Sequence, residues 1–210
     1  MVQLHDDVKR TLESFMRGRD FHSYGNSDRK TANQRLRQDV IACLSTTGEC
    51  KLIDSHAVIS HFLVTREKDS VELYLIFYPK STSKPKHNDT RYDFLSCISK
   101  LEKGSMYGGM AIFITDITAF PFKDGDTCDY EHFSLSNGRE VKANMPLTWK
   151  KAKSRQRKNP IILNHSYTFN WYLNNGKTID SVDIPKTKNP YFFYLMTEVD
   201  TPMSNLQNLK

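Results

Sequence analysis

The chain has 210 residues, 38% hydrophobic and 26% charged, which suits a folded domain with a full core and excludes disordered, collagen-like and coiled-coil chains. Lysine and arginine outnumber aspartate and glutamate by 30 to 24, a net charge of +6. That balance is compatible with a nucleic-acid partner and excludes an acidic mimic of DNA.

The N-terminus has no basic stretch followed by an apolar one, and no apolar run approaches the roughly 18 residues of a membrane helix. A cytoplasmic protein without a membrane partner is therefore expected. Residues 3–16 read as a helix, with Leu4, Val8, Leu12, Phe15 and Met16 on one stripe. Residues 17–30 carry loop signals. A second helix is expected from about Ser27 or Asp28, either of which can cap it, to Leu44. Leu36, Val40, Ile41 and Leu44 would face inward, and Arg29, Lys30, Arg35 and Arg37 outward.

Two β-branched and aromatic runs follow, 56–66 and 71–79, separated by the polar turn Glu67-Lys68-Asp69-Ser70, so an antiparallel hairpin is expected. Residues 81–90 read as a basic surface loop. Residues 90–103 read as a third helix, capped by Asp89 and ended by Gly104. Residues 110–114 are apolar without alternation, as in a strand covered on both faces. Asn137-Gly138 predicts a tight hairpin within 131–144, and strand-like runs recur at 161–172 and 191–199. The expectation is one α/β domain with a mixed central sheet over residues 1–200, and a loose tail at 201–210.

The four cysteines, Cys43, Cys50, Cys97 and Cys128, are scattered, without zinc-ligand spacing, and read as reduced, packed thiols. His56 and His61, five apart, would lie on opposite faces of one regular strand and so form no ready metal pair.

The helix–hairpin–helix–strand order suggests a restriction-endonuclease-like fold. Arg91-Tyr92-Asp93-Phe94-Leu95 with Ile98, Leu101 and Glu102, then Gly109 to Asp116, resemble a helix and strand of small bacterial PD-(D/E)XK nuclease-like proteins. So do Phe133-Ser134-Leu135 with Asn137-Gly138-Arg139 and Leu147-Thr148-Trp149. Pro160-Ile161-Ile162-Leu163 with Ser166-Tyr167 and Trp171, and the closing run Phe193 to Val199, continue the resemblance, which spans roughly 28–200. It implies carboxylates and a lysine on the hairpin, holding Mg²⁺ against a scissile phosphate.

At those positions the resemblance implies His61 in place of the aspartate, Ile76 in place of the glutamate and Tyr78 in place of the lysine. Isoleucine cannot coordinate a metal, and neutral tyrosine cannot replace an ammonium group. The expectation is therefore a degenerate nuclease with no cofactor.

The alternative is an active Mg²⁺-dependent endonuclease with relocated ligands. Asp54 is then the best carboxylate, with Glu72, Lys80, Asp28 and Asp39 as further candidates. Glu72 shares a strand face with position 76 but lies about 13 Å from it, and Lys80 lies about 26 Å from Glu72 along an extended strand.

Residues 142–158 hold Lys142, Lys150, Lys151, Lys153, Arg155, Arg157 and Lys158 with no acid between them. This segment is the expected phosphate contact, with Lys80, Lys84, Lys86 and His87 as a second. A protein-binding scaffold without DNA affinity is the third reading.

Overall fold

The computed structural model describes residues 2–25, 28–56, 58–80, 87–104, 108–122, 133–148, 157, 159–181 and 191–199. Helix α1 spans Val2–Gly18, and its stripe of Leu4, Val8, Leu12 and Met16 is sealed at 1% exposure or less. A short helix α2, His22–Gly25, follows. Helix α3 spans Arg29–Leu44. Asp28 caps it, accepting from the backbone N–H of Lys30 at 2.9 Å and of Thr31 at 3.1 Å. Leu36, Val40 and Leu44 are buried, as the spacing predicts.

Three strands then form an antiparallel meander: β1 (Glu49–His56), β2 (Ile59–Arg66) and β3 (Asp69–Phe77). The β2–β3 hairpin is the expected one, with a tighter turn: only Glu67 and Lys68 lie outside the strands, and Glu67 adopts φ 57°. β1 is an addition to the expected elements. Seven of its eight residues are exposed, so it lacks the apolar alternation by which a strand is read from sequence. His56 ends β1 rather than opening β2, and a register irregularity lies between Leu52 and Asp54.

Helix α4 spans His87–Gly104. It starts before the expected cap, so Asp89 sits within its first turn. Strand β4, Gly109–Thr115, is buried along its whole length and pairs parallel with β3. Its unbroken apolar run matches coverage on both faces. Strand β8 (Phe193–Val199) pairs antiparallel with β4, and β7 (Trp171–Leu173) with β8. The mixed sheet therefore runs β1-β2-β3-β4-β8-β7.

Alternation along the strands divides the core in two. Phe62, Val64, Val71, Leu73, Leu75, Phe77, Met110, Ile112 and Ile114 face α1 and α3. Tyr74, Ile76, Tyr78, Ala111, Phe113 and Leu195 face α4 and a small second sheet. That sheet is the pair β5 (Arg139–Val141) and β6 (Tyr167–Phe169).

The expected Asn137-Gly138 hairpin does not form. Gly138 does turn the chain, at φ 73°, but residues 133–136 are buried non-strand chain rather than a partner for β5. Asn137 is held by tertiary contacts instead. Its carbonyl accepts from Trp171 N–H at 2.8 Å and its amide donates to Asp180 at 2.9 Å.

Burial pushes the Cys50 thiol up to about 11 and the Cys97 thiol up to about 12. These two and Cys43 are free; Cys128 and residues 201–210 lie outside the described residues.

Candidate functional site

The hairpin positions singled out by the sequence fall on the α4 side of the sheet. Ile59 pairs with Ile76 and His61 with Tyr74 across β2 and β3. Asp54 lies across from His61 on β1. The strands thus bring Asp54, His61 and Tyr74 into one row, with Glu72 on the neighbouring diagonal. His56 pairs with Ile59, which has the parity of His61. The two histidines therefore sit on different strands and share a face, contrary to the single-strand expectation.

His61 Nε2 lies 3.1 Å from Glu72 Oε2. The imidazole stacks on the Tyr74 ring at 4.2 Å between centroids and 8° between planes. Lys100, from α4, holds its Nζ 5.8 Å from the centre of the same ring, within cation–π range. Burial pushes the Tyr74 phenol up to about 12, with smaller contributions in the same direction from Cys97, Glu72 and Asp54. Tyr74 and Lys100 were not anticipated. The parity of Tyr74 with Glu72 and Ile76 was the available signal; Lys100 is brought there only by the docking of α4.

Ile76 and Tyr78 are 0% and 2% exposed. The Tyr78 ring meets His87 and Phe120 edge-on at 6.3 and 5.9 Å. The positions that the resemblance assigns to a catalytic glutamate and lysine are thus filled by packed apolar and aromatic groups. Among the described residues no three His, Cys, Asp or Glu side chains converge to hold a metal ion.

Of the relocated set, Asp54 and Glu72 share this face of the sheet, and the others lie elsewhere. Asp28 is spent on the α3 cap. Asp39 binds the Tyr24 hydroxyl and pairs with Arg19 at 3.0 Å. Tyr24 belongs to the core on the α1–α3 face, so the sheet separates Asp39 from Glu72. Asp54 is exposed and accepts from Ser55 N–H at 2.7 Å. Lys80 lies beyond the end of β3, where its backbone N–H donates to Asp116 at 2.6 Å. Burial raises the Asp116 carboxyl above the ordinary carboxylate range, and the Lys80 N–H opposes that shift.

Of the basic segment, Lys142 and Arg157 are described; Lys150, Lys151, Lys153, Arg155 and Lys158 lie outside the described residues, as do Lys84 and Lys86. Arg157 is engaged with α4. Its Nε and Nη2 donate to the two carboxylate oxygens of Asp93 at 3.0 and 2.8 Å, and its Nη1 lies 3.6 Å from Asp89. This bidentate geometry pins the end of the segment to the helix. Lys142 and Arg139 line an open cleft of about 540 Å³ with Glu140, Met145 and Leu147.

No helix among the described residues is long and apolar enough to cross a membrane. No family model matches the chain, and neither curated proteins nor solved structures give a match.

Proposed function

We propose that this chain is a nuclease-like protein without a working hydrolytic centre, and that it binds nucleic acid through its basic segments. The observation that carries this reading is the sealing of Ile76 and Tyr78 in the apolar core, at 0% and 2% exposure. Neither position offers a metal ligand or a free cation. The order α3, β2–β3 hairpin, α4, β4 supports the restriction-endonuclease-like architecture expected from the resemblance.

The binding half of the proposal rests on charge. The basic run from Lys142 to Lys158 holds no acid, and such runs bind phosphates by releasing counterions. Arg157 serves as its anchor, leaving the lysines and Arg155 as the phosphate contacts. The basic segments carry no base-reading motif, and their side chains would contact the phosphate backbone. A role in restriction, phage defence or counter-defence is the corresponding biological setting.

The deciding experiment incubates the full chain with plasmid and single-stranded DNA in Mg²⁺ or Mn²⁺, with gel-shift lanes at low and high salt. Salt-sensitive binding without cleavage is the expected result. Cleavage abolished by Asp54→Ala would establish the relocated endonuclease instead. Neither binding nor cleavage at low salt would leave a protein-binding scaffold.

A further inference from the structure

We infer that the edge strand β1 pairs antiparallel with β1 of a second copy of this chain, joining two sheets about a two-fold axis at Leu52. This inference is independent of the proposed function.

The two edges of the main sheet differ. At the β7 edge, Tyr172 forms a further bridge with Thr178. β1 forms the other edge, and seven of its eight residues are exposed. Two of the five large exposed hydrophobic residues among those described, Leu52 at 39% and Ile53 at 52%, sit side by side on it. Among the described residues no strand pairs with this edge, and an edge of this length offers a row of backbone donors and acceptors to another strand.

The side chains select the partner. Pairing with β2 places Glu49, Lys51, Asp54 and His56 opposite Thr65, Leu63, His61 and Ile59. Those four β2 residues alternate along one face, so all four β1 residues share the α4 side of the sheet. Cys50, Leu52 and Ser55 take the other side, opposite Val64, Phe62 and Ser60. Ile53 has no place in this register and forms the irregularity.

A two-fold axis normal to the sheet requires residues facing each other across the junction to lie on the same side. In an unbroken strand, Lys51 and Asp54 would lie on opposite sides. The extra residue at Ile53 brings them to the same side. With Leu52 facing its counterpart, Lys51 faces Asp54 of the second copy, Cys50 faces Ser55, and Glu49 faces His56. The pairing of Lys51 with Asp54 is made twice, as is that of Glu49 with His56. Within one chain, Lys51 pairs with Glu49 at 2.9 Å on the solvated surface, an arrangement worth little and readily exchanged. Centring the axis on Asp54 would set Leu52 against Ser55 and would set Asp54 against Asp54, so the charges favour Leu52.

The test is the solution mass of the full chain by sedimentation or light scattering. A dimer near twice 24.4 kDa is expected. Lys51→Asp should weaken it about tenfold or more, since it sets like charges opposite each other at two symmetric places. The exchange Lys51→Asp with Asp54→Lys should restore it, and that rescue separates lost pairing from lost folding. Ile53→Pro should give monomers, with an unchanged circular dichroism spectrum confirming the fold. A wild-type chain that stays monomeric at high concentration would overturn the inference, as would a dimer indifferent to both Lys51→Asp and Ile53→Pro.

Discussion

His61 lies flat on Tyr74, 4.2 Å between ring centres and 8° between planes, at directly paired positions of β2 and β3. The contact turns a position resembling a metal ligand into a cross-strand packing element. Glu72, 3.1 Å away, completes it as a hydrogen-bond partner. His61→Ala is expected to destabilise the fold by about 1–2 kcal/mol, through loss of the stacked pair and of the bond to Glu72. His61→Phe, which keeps the stack, should cost less. Urea denaturation of the three proteins measures the order.

Introducing the glutamate and lysine that the resemblance implies at positions 76 and 78 should fail. Ile76→Glu and Tyr78→Lys each place a charge in a sealed apolar core, which costs on the order of 4 kcal/mol or more without a partner. Loss of the cooperative thermal transition is the expected outcome. A stable Ile76→Glu protein would show that the core admits a carboxylate there.

Arg157 and the lysines should separate by assay. Arg157→Ala is expected to cost about 1–2 kcal/mol of stability by releasing Asp93. Arg157→Lys should not recover it, because lysine lacks the planar fork. Neither change should alter the salt dependence of DNA binding. Replacing Lys150, Lys151 and Lys153 by glutamine should lower the slope of log affinity against log salt by about 1 per lost phosphate contact, with no change in melting temperature.

Glu102 is a buried anchor between α4 and the chain leading into β6. Its carboxylate accepts from the backbone N–H groups of Asn164 and His165 and from the Tyr167 hydroxyl, at 2.8–2.9 Å. Glu102→Gln puts an amide N–H₂ among these donors and should cost about 2–4 kcal/mol. Denaturant midpoints check the value.

Asp116 gives a pH signature. Burial raises its carboxyl pKa above the ordinary value of 3.8, so the folded state holds the proton more tightly than the unfolded state. Its contribution to stability is therefore greatest at or below the unfolded value and falls as pH rises through the raised folded value. Asp116→Asn removes that titration. The wild type should lose stability relative to the variant over this window, and denaturation midpoints collected across mildly acidic pH test it. A wild-type curve parallel to that of Asp116→Asn would contradict the assignment.

Local pattern carried much of the architecture. The i, i+4 stripe of Leu4, Val8, Leu12 and Met16 determines α1 because only one helical face can be dried. Asp28 marks the start of α3 because its short carboxylate satisfies two otherwise unpaired amides. The unbroken apolar run of β4 matches burial on both faces. β1 was not legible because an exposed edge strand needs no hydrophobic alternation; its backbone pairing with β2 defines it. The failed Asn137-Gly138 hairpin has a related cause. A turn sequence specifies a local bend, but the strand it serves is chosen by distant partners, here β6, with Trp171 and Asp180 holding Asn137.

The composition of the hairpin was read directly from the chain: no carboxylate at position 76 and no ammonium at position 78. That Ile76 and Tyr78 are sealed, that His61 rests on Tyr74, and that Asp39 lies across the sheet from Glu72 were decided by tertiary structure. Alternation gives the relative face of each residue within a strand. Which helix covers that face, and which side chain from another element reaches it, depends on contacts between segments far apart in sequence.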